Sequence, residues 1–343
     1  MSDRPTIADL AKAAGVSVST VDRVVNGRDP VRKPTSERVL QAAEAIGFHA
    51  ASLIRQRLSS AKPSRNFGFL LLQKNRSFYQ ILAEALVEAA RSSPLVEAIP
   101  KIVHVEDLDP GSVAEQIGKL GRGVDALAIV AANEPRIAAA VDALHAKGIP
   151  SFALISELTA PCPVGYIGLD NYKAGRTAGW AIANLSRRAG KVAVIVGSHR
   201  FRCQDLNEMG FRSYFREHAP EFTLLEPRAS LEDARYAAEV TRDLLAQVPD
   251  LSALYVAGGG VSGVLAALRE RHEQKPLVTI AHDLTHHTKA GLIEGLVSAV
   301  IAHPMKTMAQ TLVEAMANVS TSRGTIPPPQ ITLPFFIHTR ENI

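Results

Sequence analysis

The chain has 343 residues, too long for one small domain and about right for two or three units at the usual ~100–200 residues each. A hydrophobic fraction of 46% supports a sizeable core and excludes global disorder. No apolar run reaches the ~18 residues needed to cross a bilayer, and Met1-Ser-Asp-Arg-Pro-Thr-Ile7 lacks the apolar segment of a secretory signal. Two cysteines, Cys162 and Cys203, are too few for a disulfide framework. The expectation is a cytoplasmic protein with reduced thiols and no membrane partner. The net charge of +4 is unevenly placed: residues 1–65 hold eleven Lys/Arg against six Asp/Glu, and the remainder holds twenty-seven against twenty-eight. A basic head on a neutral body fits polyanion binding. On charge alone, a merely soluble basic surface fits equally well.

The first helix is expected after Thr6-Ile-Ala-Asp9, which has the form of a capping box with Thr6 as N-cap. Ile7, Leu10, Ala11 and Ala14 follow at helical spacing, and Gly15 ends the element in a left-handed conformation. Val16 can plug the turn. Ser17 caps a second helix from Val18 to about Asn26, with Val21, Val24 and Val25 inward and Gly27 as stop. Thr35 is expected to cap a third helix, Ser36 to Ile46, ended by Gly47. Two short helices joined at a glycine have the geometry of a DNA-reading helix-turn-helix. An ordinary three-helix bundle is the alternative. Against it, the second helix opens with Ser17, Val18, Ser19 and Thr20, of which the small polar residues do little for a core but approach base edges. It also carries Arg23 and Asn26, suited to phosphate or base contact.

The run Thr6-Ile-Ala-Asp-Leu-Ala-Lys-Ala-Ala-Gly-Val-Ser-Val-Ser-Thr-Val-Asp-Arg-Val-Val-Asn26 resembles the headpiece of the lactose-repressor (LacI) family over some twenty contiguous positions. It departs at Asp22, where the family usually has serine; an acid there repels phosphate and accepts from cytosine N4. The resemblance implies contacts to double-stranded operator DNA from Thr6, Ser17, Val18, Ser19, Thr20, Asp22, Arg23 and Asn26. Residues 48–65 have a linker composition ending in Lys62-Pro63-Ser64-Arg65. The family has a hinge helix here whose leucine wedges into the minor groove. Leu58 falls at that position, with Arg55 and Arg57 beside it for phosphates; Arg55 replaces a more usual small residue. Leu58 packed on the body is the plainer alternative. The head is thus taken as 1–47 and the hinge as 48–65.

From residue 66 to 343, short apolar runs alternate with helical patterns. Strands are expected at 66–72, 99–105, 126–131 and 151–155, with helices at 78–91, 112–120 and 134–147 between them. The rhythm restarts with a helix from Tyr172, strands at 191–196, near 222–225, 253–256 and 277–281, and helices from Asn207, Leu231, after Gly263 and at 285–294. Apolar strands between helices mean parallel sheets covered on both faces. The fold class is therefore α/β: an N-terminal all-α helix-turn-helix head and a two-lobed, doubly wound parallel-sheet body. The body resembles periplasmic binding proteins of the ribose-binding type, in Tyr166-Ile-Gly-Leu-Asp-Asn-Tyr-Lys-Ala-Gly175, Gly210-Phe211, and His282-Asp283 ahead of Ile293-Glu-Gly-Leu-Val297. Lobe one is taken as about 66–165 and 300–325, and lobe two as about 168–297 and 326–343.

Such lobes bind ligands in the cleft beyond the strands' carboxyl ends. Carried over by position, the effector candidates are Asn75, Phe78, Tyr79, Asn133, Glu134, Arg200, Arg202, Asp205 and Asp283. An aromatic from Phe78 or Tyr79 would cover a sugar ring, and Asp283 would accept from hydroxyls. Phe78 and Tyr79 as a helix staple, and Asp283 as a helix N-cap, are the plainer alternatives. Asp205 stands where the family usually has arginine, which favours a neutral or amino-bearing ligand over a phosphate. His282, His286 and His287 are read as no metal site, since adjacent histidines diverge on a helix. Gly258–Gly260 lacks the Lys-Ser/Thr of a phosphate loop. No Gly-x-Ser-x-Gly or His-Glu-x-x-His is present. The expectation is a non-enzymatic repressor without cofactor or metal, a homodimer or tetramer, controlled by a sugar or polyol. Whether the effector induces or corepresses stays open. A solute-binding protein of transport and a sugar-acting enzyme are the rival classes.

Overall fold

The structure is a computed structural model describing residues 5–27, 31–60, 62–270, 277–322 and 325–343, with the backbone alone for residues 33 and 57–60. The chain divides into two compact units, Met1–Pro63 and Ser64–Ile343.

The first unit has helices α1 (Ile7–Ala14), α2 (Val18–Asn26), α3 (Lys33–Ala45) and α4 (Ala51–Ser60). The capping box forms: Asp9 N–H donates to Thr6 Oγ1 at 3.3 Å, and Thr6 N–H donates to Asp9 Oδ2 at 2.9 Å. Gly15 and Gly27 end α1 and α2 at φ 63° and 66°, where a side chain would be strained. Leu10, Val21, Val39, Ala43, Phe48 and Ile54 share one buried core. Phe48 and Ile54 draw the segment expected to be a linker onto the head. The third helix starts at Lys33, earlier than expected, because Pro34 in its first turn presets φ and Thr35 is not needed as a cap.

The second unit has β1 (Ser64–Leu72), α5 (Ser77–Arg91), β2 (Glu97–Val105), α6 (Pro110–Gly121), β3 (Ala126–Ile129), α7 (Pro135–His145), β4 (Ser151–Leu154), β5 (Gly165–Leu169) and α8 (Asn171–Leu185). It continues with β6 (Lys191–Val196), α9 (Arg202–His218), β7 (Thr223–Leu224), β8 (Arg228–Ala229), α10 (Ala234–Gln247), β9 (Leu251–Val256), α11 (Val261–Arg269), β10 (Val278–His282) and α12 (His286–Ile293). Then come β11 (Ala299–Ala302), α13 (Met305–Thr321), β12 (Gln330–Leu333), β13 (Phe336–His338) and a 3-10 turn at Arg340–Asn342. One parallel sheet runs β12-β5-β4-β3-β1-β2. The other runs β13-β11-β10-β9-β6-β7, with β8 also on β6 and β13 antiparallel. Apolar clusters cover both faces of each sheet, as continuous strands such as Phe67–Leu72 require. The α/β two-lobed class stands.

The lobe boundaries differ from the sequence reading. Ile280–His282 pairs in parallel with Ala299–Ile301, so the strand at 299–302 belongs to the second sheet, not the first. Gln330–Leu333 pairs with Tyr166–Leu169, so this segment belongs to the first sheet, not the second. The chain therefore crosses between lobes after β5, after β11 and after β12. The helix expected from Asn207 begins at Arg202, five residues earlier, because Phe201 buries at its start. Among the described residues no helix is long and apolar enough to cross a membrane, and Cys162 and Cys203 are free thiols.

Candidate functional site

On the head, Ser17 caps α2 by accepting from Thr20 N–H at 3.2 Å. Val18, Ser19, Arg23 and Asn26 are exposed on this helix, while Val21 and Val24 bury beneath it. Val18 is 53% exposed, an apolar side chain with no core to serve. Asn26 Nδ2 donates to Asp22 Oδ1 at 2.6 Å, so the departure at Asp22 is tied to a neighbour one turn on. Thr6 is exposed at the start of α1, its hydroxyl bonded to Asp9. Arg55, expected on phosphate, pairs with Glu44 of α3 at 2.7 Å. The side chains of Arg57 and Leu58 lie outside the described residues.

In the body, a cavity of about 440 Å³ lies between the lobes at the carboxyl ends of their strands. Asn75, from the turn after β1, and Phe78 and Tyr79, from the first turn of α5, line it from the first lobe; Asp283, following β10, lines it from the second. Phe78 and Tyr79 meet edge to face with centroids 5.1 Å apart, and Phe78 also faces His303 at 6.0 Å. Asp283 is not a helix cap, since Thr285 caps α12. It sits at φ 62° and its Oδ1 accepts from His303 N–H (3.0 Å) and Nδ1 (2.7 Å). Burial alone would raise the Asp283 carboxyl; the charge and hydrogen bonds of His303 outweigh it and hold the group below the usual carboxylate range. Next to it, burial pushes His282 down to about 4, and its Nε2 lies 2.7 Å from the Tyr255 hydroxyl.

The centre of the site includes residues absent from the sequence reading. Arg76 of the first lobe pairs with Glu232 of the second at 2.6 Å. Gln204 donates to Glu232 Oε1 at 2.6 Å and accepts from Gly197 N–H and Ser198 N–H at 2.6 and 2.9 Å. The Gly258–Gly260 run is explained by this packing: a Cβ on Gly258 would lie 2.1 Å from Gln204 Oε1, and one on Gly259 2.0 Å from Glu232 Oε2. The glycines admit a carboxylate, not a phosphate. Gln73, Ile155, Glu232 and Asp283 all line the cavity at positive φ, and such backbone conformations concentrate at ligand sites. Cys203 also lines it, but burial pushes its thiol up to about 12, which makes it a poor nucleophile. No group of three His, Cys, Asp or Glu side chains suited to a metal occurs among the described residues.

Five expected cleft residues are placed elsewhere. Asn133, Glu134, Arg200, Arg202 and Asp205 are absent from the cavity wall because each is satisfied by a neighbour. Asn133 N–H donates to Arg200 O at 2.8 Å, and its carboxamide bonds Thr159. Arg200 Nε donates to Glu134. Arg202 pairs with Asp205 at 3.1 Å on the first turn of α9. The inference drawn from Asp205 about ligand charge therefore falls.

Residues 67–324 match the family described as periplasmic binding protein domain, and residues 6–50 match bacterial regulatory proteins, lacI family. The chain belongs to the periplasmic binding protein domain family and carries a lacI-family regulatory head. Relatives include the HTH-type transcriptional regulator DegA of Bacillus subtilis (strain 168), 24% identical over 244 residues, 68% of each chain. The maltose regulon regulatory protein MalI of Escherichia coli (strain K12) is 36% identical over 135 residues, 37% of this chain and 36% of MalI. Among solved structures, a solute-binding protein from Agrobacterium vitis bound with alpha-D-tagatopyranose has a TM-score of 0.73 at 20% identity, covering 81% of this chain and 95% of that one. The glucose-galactose binding protein GanP from Geobacillus stearothermophilus has a TM-score of 0.71 at 20% identity, covering 81% and 99%. These structural likenesses establish the fold of the body. A lacI-family regulatory head on a binding-protein body is the make-up of a DNA-binding transcription regulator.

Proposed function

We propose that the protein is a cytoplasmic, homodimeric repressor whose operator binding is set by a monosaccharide-sized effector, a sugar or polyol, held between the lobes of its body. One observation carries the reading: a lacI-family helix-turn-helix with an exposed face on its second helix is joined to a two-lobed body with a cavity of about 440 Å³ lined by both apolar and polar side chains. That volume lies in the range of small-molecule sites. Asn75, Phe78, Tyr79 and Asp283 serve the effector. Ser17, Val18, Ser19, Thr20, Asp22 and Asn26 face the bases, and Thr6, Arg23, Arg55 and Arg57 position the head on the backbone, Arg55 by exchanging its Glu44 partner for phosphate, with Leu58 as the minor-groove wedge. A two-fold dimer makes the target palindromic. The effector acts by population shift, through different affinities for two lobe arrangements.

The test is a selection of bound sequences from random duplex DNA with the full chain, followed by anisotropy titrations with and without sugars and polyols. A palindromic consensus is expected, with an affinity that one of the small molecules changes. A fragment starting at Ser64 should bind that small molecule and no operator. Full operator affinity in the fragment would remove the reading.

A further inference from the structure

The cavity wall is short of positive charge. Arg76 is its one lysine or arginine among the described residues, and the guanidinium is already bound to Glu232. Glu232 is 5% exposed and also accepts from Gln204, so this pair is fixed rather than waiting for a ligand. His282 adds no charge at neutral pH, because burial holds its ring in the neutral form. An anion entering the cavity would meet Glu232 and Asp283 and find the guanidinium occupied.

Around the cavity several polar atoms lack partners. Asn207 Oδ1, on a residue 4% exposed, has no hydrogen-bond partner. Neither has His303 Nε2, on a residue 8% exposed. Both residues line the cavity. A carboxylate has no proton to give, so the His303 ring donates Nδ1–H to Asp283. Asp283 Oδ2 has no partner among the described residues, since both bonds from His303 go to Oδ1. Asp283 thus presents an unpartnered carboxylate oxygen from a residue on the cavity wall, and a carboxylate oxygen only accepts.

We propose that the effector is a cationic, donor-rich molecule of monosaccharide size, an amino sugar or amino polyol, whose ammonium is taken up by the Asp283 carboxylate. An ammonium brings three donors and no acceptor, which matches an unpartnered carboxylate oxygen on a wall whose one guanidinium is already paired. The hydroxyls complete the wall, and Phe78 covers the ring face. This rests on the cavity being the effector site of the regulator.

Calorimetry on the full chain at neutral pH tests it with glucosamine, galactosamine, mannosamine and 1-amino-1-deoxysorbitol, each against its neutral parent, and with the 6-phosphates of the parent hexoses. At least one amino compound is expected to bind ten-fold or more tightly than its parent, with no binding of the phosphates. Asp283→Asn keeps the acceptor for His303 and should erase that preference while the body retains a cooperative thermal transition. Glu232→Gln releases Arg76 and should let a 6-phosphate bind. A neutral parent binding as tightly as its amine, or a phosphate binding more tightly to the unaltered chain, overturns the inference and leaves a sugar-responsive regulator standing. Binding of none of these probes, neutral or charged, removes both.

Discussion

His282 should make the body lose stability in mild acid, and His282→Gln should remove that loss. The imidazole is held beside Tyr255, itself fully buried and stacked on Phe211 at 4.7 Å. Burial lowers its pKa from 6.5 to about 4. A depressed histidine pKa means that the unfolded chain binds the proton first. Its contribution is therefore present above pH 6.5 and is lost as pH falls toward 4. Within that window the slope is about 1.4 kcal/mol per pH unit for one proton, and the whole shift amounts to roughly 3 kcal/mol. Asp283 does not confuse the measurement. Its lowered pKa makes its contribution present above the ordinary carboxylate value and lost only below it, under the histidine window. Glutamine keeps an acceptor for the Tyr255 hydroxyl and cannot be protonated. Urea unfolding of the body from pH 7.5 to 4.5 should show the original chain losing about 2–3 kcal/mol more than the variant. Parallel losses in the two proteins would show that His282 takes up its proton with a normal pKa, and the reasoning would fail.

Arg76→Met leaves Glu232 buried without its cation. Breaking a buried pair typically costs about 3–5 kcal/mol, but Arg76 is 23% exposed and Gln204 remains, so about 1–3 kcal/mol is expected, or roughly 2–6 °C in the body's melting temperature. Adding Glu232→Gln should restore part of it; a double variant no better than Arg76→Met would argue against the pair. Gly210→Ala should destabilise the body by about 1–3 kcal/mol in calorimetry, because its Cβ would lie 2.0 Å from the Tyr172 carbonyl oxygen on the facing helix; an unchanged transition would show that α8 and α9 do not cross so closely. Exchanges at Val18 or Ser19 should change the consensus selected from random DNA, whereas Arg23→Ala should weaken binding to every sequence alike. An identical consensus from all the Val18 and Ser19 variants would remove these positions from base reading.

Local rules made much of the molecule legible. Thr6, Gly15, Ser17 and Gly27 mark helix ends whatever the rest of the chain does, and all four do so here. Gly175 and Gly210 could be recognised as a pattern, but their reason is tertiary: each Cβ would strike the backbone of the partner helix within 2.0 Å. Asn75, Phe78, Tyr79 and Asp283 could be placed at the cavity because they directly follow apolar strands. Glu232 was not visible, since it sits at φ 60° between a two-residue strand and a helix, where no periodicity exists. Gln204 was hidden by the late start assigned to its helix, and His303 by the unread strand before it. Asn133, Glu134, Arg200, Arg202 and Asp205 misled for the opposite reason. A charged residue after a strand suits a ligand or a neighbour equally, and only the fold shows that these five satisfy one another.

The same bonds indicate how occupancy of the cavity is linked to the arrangement of the lobes. Three crossings tie the lobes covalently, and their facing edges meet through the apolar packing of Phe201 and Cys203 and through polar contacts: Arg76 with Glu232, Ser77 with His286 at 3.0 Å, Asn133 with Arg200, and Ser156 with Cys203 at 3.3 Å. Water can replace each at a net cost of only about 0.5–1.5 kcal/mol per bond, somewhat more for the charged pair. A molecule that bonds Asp283 of the second lobe and contacts Asn75 or Phe78 of the first adds to the apposed arrangement and not to a parted one. A shift of a few kcal/mol is enough to invert a two-state population. The residues that choose the effector are thus the residues that bridge the lobes, and an effector that contacts only one lobe should bind without changing operator affinity.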